Sequence, residues 1–334
     1  MRIEPVDAAD DTAFAAWYSA FAGGLKADRD DPPVWEEREL RVAHRRQSGH
    51  LRRLAYAAVD GDGTVLGGSG IDLPQRDNRS LLMFTIAVPP PHRRRGVGSA
   101  LFAHVEEVAR AEGRSSLLTQ FDLPVGVDRE DFPAAVFATK RGLTCRNVDF
   151  RRVLDLPMPS DLTARLRAAA DGSGDYRLVS WSGPCPEEYA DQYAHLKSRL
   201  STDAPIGDME VEPEHWDVDR LRDEEARVAE QRRTLYVTVA VASDGTLAAH
   251  TVLVVPSLRP ELAFQWDTLV LRDHRGHRLG LALKLANLEA MTAGEPRVRR
   301  VTTWNAQQNG PMVAVNDAMG HRVVERHEEW QRSD

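Results

Sequence analysis

The sequence predicts an α/β protein made of two copies of one domain. Strand-like apolar runs alternate with amphipathic helical ones along all 334 residues, the pattern of sheets covered by helices. A unit of apolar strand, basic glycine-bearing turn and helix occurs at 81–110 and again at 262–292. The two copies keep one spacing: Asp62 and Asp244, Pro74 and Pro256, Val88 and Val270, His92 and His274, Arg93 and Arg275, and Gly98 and Gly280 each lie 182 residues apart. A spacing held over about forty residues reads as duplication.

The elements follow in order. Residues 2–6 form a first strand, and Asp10 or Asp11 caps a helix to about Leu25 whose stripe is Phe14, Trp17, Tyr18 and Phe21. Pro32-Pro33 breaks the chain before a charged helix over 34–47. Strands at 54–59 and 65–73 flank the hairpin turn Asp60-Gly-Asp-Gly63. After the strand–turn–helix unit come a strand at 115–121, a helix over 132–141 and a strand at 147–154. Pro157-Met-Pro159 and Asp171-Gly-Ser-Gly174 then flank a short Ala/Arg-rich helix. The expected division is therefore a first domain at 1–156, a linker at 157–175 and a second domain at 176–334. From Tyr176 the order repeats, with helices at 187–200 and 214–232, strands at 235–242 and 248–255, the second unit, a strand at 298–304 and a helix over 311–319.

Composition bounds the function. Hydrophobic content of 42% and charged content of 28% suit a globular protein, and a length of 334 suits two domains. A formal net charge of −8 argues against general nucleic-acid binding. Cys145 and Cys185 make neither a disulfide framework nor a metal cage, so no metal is expected and a reducing cytoplasm is the simplest setting. The start Met1-Arg-Ile-Glu-Pro-Val-Asp7 has no apolar run, so no signal peptide is expected, and no stretch is apolar enough to suggest a membrane partner.

Against this acidic background the turn Arg93-Arg-Arg-Gly96-Val-Gly98 stands out. A helix start presents unpaired N–H groups and a positive dipole end, glycines allow close approach to the main chain, and arginines add charge-assisted donors. It is a seat for phosphate.

Arg93-x-x-Gly96-x-Gly98-Ser-Ala, after a strand ending at Val88, resembles the acyl-CoA pyrophosphate loop of GNAT-type N-acetyltransferases. The order helix–helix–hairpin–strand–loop–helix–strand–helix–strand is similar to that family in both halves, and the length and layout resemble tandem members such as mycothiol synthase. The resemblance implies two tandem GNAT domains, each a mixed, mostly antiparallel sheet flanked by helices, with a wedge opening where the strands ending near Val88 and Val270 part from their neighbours. It implies transfer of an acetyl group from acetyl-CoA, or another acyl-CoA, to a primary amine of a small molecule by direct attack. The other reading is a non-catalytic acyl-CoA-binding or sensing module. An internal pseudo-dimer, compatible with a monomer, is expected.

Carried onto this sequence, the cofactor contacts fall on Ile86, Val88, Arg93, Arg94, Arg95, Gly96, Val97, Gly98 and Ser99 in the first half. In the second they fall on Leu269, Val270, Arg275, Gly276, His277, Arg278, Leu279, Gly280, Asn305 and Asn309. Val88 and Val270 would offer backbone N–H groups to the thioester oxygen. The second loop, with Arg278 in place of Gly96, is either a cofactor loop or a structural copy. The family often uses a tyrosine, four residues before a late glycine, as acid to the leaving thiolate. Those positions are Ala138 and Asn316 here. Asp267, matched with Thr85, is a general base or amine anchor, or else a hydrogen-bonded structural aspartate. Asn305 and Asn309 contact the cofactor or cap a helix. The acidic run from Asp208 to Asp219 walls an acceptor site or is a solvated helix start.

Overall fold

The computed structural model describes residues 1–46, 48–171 and 175–333; Gln47 and the Gly172–Gly174 part of the expected linker lie outside them. Secondary structure runs β1 (Arg2–Pro5), α1 (Asp11–Lys26), α2 (Glu37–Arg45), β2 (Leu51–Val59), β3 (Val65–Pro74), β4 (Leu81–Ala87), α3 (Val97–Ala111), β5 (Ser116–Pro124), α4 (Pro133–Lys140) and β6 (Thr144–Asp155). It continues α5 (Ser160–Ala170), β7 (Arg177–Ser182), α6 (Ala190–Asp203), α7 (Val218–Glu230), β8 (Arg233–Val241), β9 (Leu247–Pro256), β10 (Leu262–Val270), α8 (Leu279–Gly294), β11 (Arg300–Ala306), α9 (Gly310–Met319) and β12 (Arg322–Ser333).

The chain forms two compact units that are not contiguous halves. Unit 1 is Met1–Phe121, Val127–Arg146 and Glu329–Asp334; unit 2 is Asp122–Gly126 and Asn147–Glu328. Most of β6 therefore belongs to unit 2, and the last residues of β12 belong to unit 1. This differs from the expected division at 156. The reason is topological: the late strand of each half takes its hydrogen bonds and packing from the other half's sequence. Thus β6 pairs antiparallel with β11 from Arg300↔Asp155 to Ala306↔Asp149, and Trp330 packs into the unit 1 core against Phe121. β12 follows Met319, where the sequence predicts no strand.

In unit 1, β1, β2, β3 and β4 pair antiparallel in that order, and β5 joins β4 in parallel. Asp10 starts α1 by accepting from Thr12 and Ala13 N–H groups at 2.9 and 3.0 Å. The α1 stripe, Phe14, Trp17 and Phe21, is buried on one sheet face with Leu40 of α2. The other face carries α3 and α4 through Phe102, Val105, Val108 and Ala138. Each such large apolar side chain contributes roughly 1.5–3 kcal/mol on burial.

Unit 2 repeats the plan. Strands β7, β8, β9 and β10 pair antiparallel, and β11 joins β10 in parallel. One face takes α6 and α7 through Tyr193, Leu196, Leu221 and Val228. The other takes α5, α8 and α9 through Leu166, Leu285, Leu288 and Met319.

Both parallel pairs are short. The β4–β5 ladder ends at Phe84↔Thr119 and the β10–β11 ladder at Phe264↔Thr302, though all four strands continue. The expected wedge is present in each unit.

Candidate active site

The turn after β4 and the turn after β10 share one backbone path with their glycines exchanged. Two residues in each are left-handed: Arg94 (φ 62°) and Gly96 (φ 83°) in the first, Gly276 (φ 88°) and Arg278 (φ 56°) in the second. The second of each pair is the residue before its helix, α3 or α8. The left-handed region favours glycine, so the substitution Gly96-to-Arg278 read from the sequence does not change the turn. A Cβ placed on Gly96 or Gly276 would meet nothing within 4 Å, so both turns are open at the surface a phosphate would approach.

The first arginine of each turn braces it. Arg93 donates from Nε to the Val88 carbonyl at 2.9 Å and pairs with Asp28 beyond α1. Arg275 donates to the Val270 carbonyl at 3.2 Å and faces Asp203 at the end of α6. Arg94 and Arg95 are exposed. Arg141 donates to Ser99 Oγ at 2.6 Å and places a further cation beside the first turn. Arg278 donates to the Ala169 carbonyl at 2.9 Å, so its guanidinium reaches toward α5. His277 is exposed, and its ring lies 5.5 Å from that of Tyr176. Val97 and Leu279 are buried, leaving only their main chain to face the turn.

The largest difference lies on β10. Between Gln265 and Thr268 its register with β9 shifts by one residue, whereas β4 runs without a shift against β3. Trp266 and Asp267 together form this bulge opposite Val252 of β9, in the place that the single residue Thr85 holds in unit 1. The constant spacing of 182 hides it. The connection from Pro74 to Leu81 is one residue longer than that from Pro256 to Leu262, and the bulge restores the count. Gln265 knits the bulge, donating to the Asp267 carbonyl at 3.1 Å and the Val252 carbonyl at 2.6 Å.

The Asp267 side chain faces Lys197 of α6 at 3.3 Å, and Glu224 of α7 lies 3.2 Å from the same Nζ. Burial works against the Lys197 ammonium, but Glu224 and Asp267 outweigh it and hold its pKa above the usual lysine value. Its Nζ also stands 4.3 Å from the centre of the Trp216 ring. These groups border a cavity of about 400 Å³ lined further by Leu200, Ile206, Glu214 and Trp266. The acidic run thus divides. Glu214 and Trp216 line the cavity, while Asp217 caps α7 by accepting from Arg220 N–H at 2.9 Å.

Asn316 is fully buried, its Nδ2 donating to Asn305 Oδ1 and its Oδ1 accepting from Lys284 Nζ at 2.8 Å. Asn309 caps α9, accepting from Met312 N–H at 3.4 Å. In unit 1 the corresponding ground is apolar. Trp17 and Phe14 are fully buried, and α1 lies so close to β4 that a Cβ on Gly24 would stand 2.7 Å from Val88 N.

Lys197, Glu224, Trp266 and Lys284 escaped the sequence reading. Single charges on helices read as solvent-facing, and a bulge leaves no local composition signal.

Residues 14–136 match the model of the acetyltransferase (GNAT) family. No curated protein matches the sequence. Among solved structures, a tandem GNAT protein from the clavulanic acid biosynthesis pathway, determined without acetyl-CoA, is 29% identical with a TM-score of 0.80, over 99% of this chain and 98% of its own. A GCN5-related N-acetyltransferase from Sphaerobacter thermophilus shares the fold at 14% identity and a TM-score of 0.60, over 99% of this chain and 95% of its own. So does a GCN5-related glucosamine N-acetyltransferase region of a fungal multi-domain GH3 β-N-acetylglucosaminidase, at 14% identity and a TM-score of 0.64, over 99% of this chain and 38% of that one. With the same turn, wedge and helix order built twice, the chain has the layout of a tandem GNAT protein, and its first half matches the acetyltransferase (GNAT) family model.

Proposed function

We propose that the protein moves the acetyl group of acetyl-CoA to a primary amine of a small molecule by direct attack, and that unit 2 does the chemistry. One observation carries this: the β10 bulge sets a carboxylate, Asp267, in the wall of an acid- and tryptophan-lined cavity three residues before Val270, where the phosphate-seating turn begins. Acetyl-CoA, when bound, supplies an activated thioester. The main chain from Gly276 to Gly280 would hold its pyrophosphate at the start of α8, and Leu269, Val270 and Asn305 border the wedge for its arm. The Val270 N–H is the donor for the carbonyl oxygen.

An amine must be neutral to attack. Asp267 takes its proton, directly or through water, or holds the ammonium at the cavity wall until it is lost. Lys197 fixes the Asp267 and Glu224 carboxylates in place. Glu214 and Glu224 favour a cationic acceptor, while Trp216 and Trp266 supply apolar walls. A non-catalytic acyl-CoA-binding role suits unit 1, where aromatic side chains fill the acceptor side and α1 covers Val88.

Purified protein with acetyl-CoA and a panel of small amines should release free thiol. Gly276→Asp, which sets a negative charge in the unit 2 turn, should abolish release, whereas Gly96→Asp should spare it. Tight binding of CoA with no turnover for any amine would leave only the binding-module reading.

A further inference from the structure

The position where the family pattern places an acidic tyrosine holds Asn316, which has no proton to give a leaving group. We infer that Lys284, Asn316 and Asn305 form a polarised donor chain that delivers the field of a buried ammonium to the sulfur of CoA. This rests on the reading that unit 2 binds CoA.

Lys284 lies in the second turn of α8, and its side chain is buried. An ammonium can only donate, so the atom of Asn316 that faces Lys284 Nζ at 2.8 Å is the carbonyl oxygen. The Nδ2 of Asn316 therefore points the other way, and it donates to Asn305. The Asn305 atom that receives this bond must be its oxygen. Its own NH2 group is then left as the outer end of the chain. Every amide is oriented by the lysine, and each bond polarises the next.

The outer end is at the wedge. Asn305 lies three residues past Thr302, the last β11 residue paired with β10. It shares its strand face with Val301, which packs on α8, and it is half exposed whereas Asn316 is fully buried. The chain thus runs from the interior to the gap between the parted strands, where the thioester of a bound acyl-CoA would sit.

Among the described residues unit 1 has no counterpart. Matching strand registers and the left-handed helix-ending glycines Gly142 and Gly320 sets Phe102, Phe121 and Ala138 against Lys284, Asn305 and Asn316. All three lie in or against the apolar core of unit 1. A buried lysine with amide partners is costly in a fold that packs well without it. Burial does press the Lys284 amine down to about 7. A negative sulfur at the end of the chain restores the charged form. The titratable groups facing the chain are His321, whose Nδ1 is 3.1 Å from the Asn316 main-chain oxygen and which burial keeps neutral by pushing its pKa down to about 3, and the Arg152–Asp317 pair. The chain moves no proton. Lys284 and Asn316 are positioning residues, and Asn305 is the group that touches the sulfur.

The test titrates the thiol of bound, unacylated CoA by its ultraviolet thiolate absorbance, in a Gly96→Asp background that silences the unit 1 turn. Lys284→Met and Asn305→Leu should each make the bound thiol about tenfold or more less acidic than in the Lys284 protein, with CoA still bound. Both replacements are apolar and of similar volume, and the second, at a half-exposed site, guards against a folding failure of the first. Bound CoA whose thiol acidity is unchanged in both variants overturns the chain alone. Absence of CoA binding in the background protein overturns the chain together with the assignment of chemistry to unit 2.

Discussion

The two units share a turn and differ in everything beside it. Main chain, bracing arginine and helix start agree from Val88 to Gly98 and from Val270 to Gly280, down to two left-handed residues each. Around that common turn, unit 1 sets Thr85, Phe102, Phe121 and Ala138, and unit 2 sets the Trp266–Asp267 bulge, Lys284, Asn305 and Asn316. His250 stands where unit 1 has Gly68, a glycine against which Trp17 packs. With Asp28 and Asp203 matched through their arginines, Lys197 stands where unit 1 has the buried Ala22. Duplication preserved the turn and let the ground beside it diverge. One copy became a packed core and the other a polar cavity.

The sharpest way to break this comparison is on β10. Asp267→Asn keeps the shape of the side chain and removes its charge, and thiol release should fall about 10²–10⁴-fold, the range for loss of a general base. Thr85→Ala at the corresponding place in unit 1 should leave release unchanged. Equal effects from both, measured as kcat/KM, would end the assignment of chemistry to unit 2.

Lys197→Met tests the cavity's architecture. It leaves Glu224 and Asp267 facing each other without their ammonium, and losing one partner of a buried ion pair costs about 3–5 kcal/mol. Chemical denaturation should report that loss, and Ala22→Ser in unit 1 should cost far less.

His250 gives the next effect, through pH. Among the described residues neither of its buried ring nitrogens has a hydrogen-bond partner, its ring packs on Tyr193, and burial pushes its pKa from 6.5 down to about 4. A histidine kept neutral by the fold stabilises it fully above the unfolded value. The unfolded chain takes up the proton first as pH falls, so stability is lost between pH 6.5 and about 4. The loss approaches about 3 kcal/mol. His250→Leu should flatten that part of the stability–pH curve, and an unchanged slope would count against the burial argument.

Much of this was legible in the sequence, and the illegible part has a physical cause. The turns were readable because one arginine–glycine pattern recurs 182 residues later in the same order of elements. The wedges were what the resemblance to the GNAT family implied. The bulge was not readable. A one-residue shortening before β10 and a one-residue insertion within it cancel in the count, so Asp267 aligned with Thr85 as though the strands were equivalent. Lys284 was hidden because one lysine in Leu279–Gly294 looks like a solvated position, and only the fold turns it inward. The exchange of late strands was invisible for another reason. Pairing partners are chosen in space, and β6 alternates as well for one sheet as for another.

The smallest effect tests the shared turn itself. Arg94 and Arg278 hold left-handed conformations that cost a non-glycine residue roughly 1–2 kcal/mol. Arg94→Gly relieves that strain but loosens the unfolded chain, which returns about 0.4–1 kcal/mol. The net should be a stabilisation of about 1 kcal/mol or less, read as a small rise in Tm, and Arg278→Gly should gain somewhat less because it also removes the hydrogen bond to the Ala169 carbonyl. The reverse changes, Gly96→Ala and Gly276→Ala, meet no steric obstacle, so they should carry the conformational cost alone and destabilise equally. If the members of either pair differ by more than about 1 kcal/mol, strain is not shared between the turns. The second would then be a distorted copy rather than the same turn with its glycines exchanged.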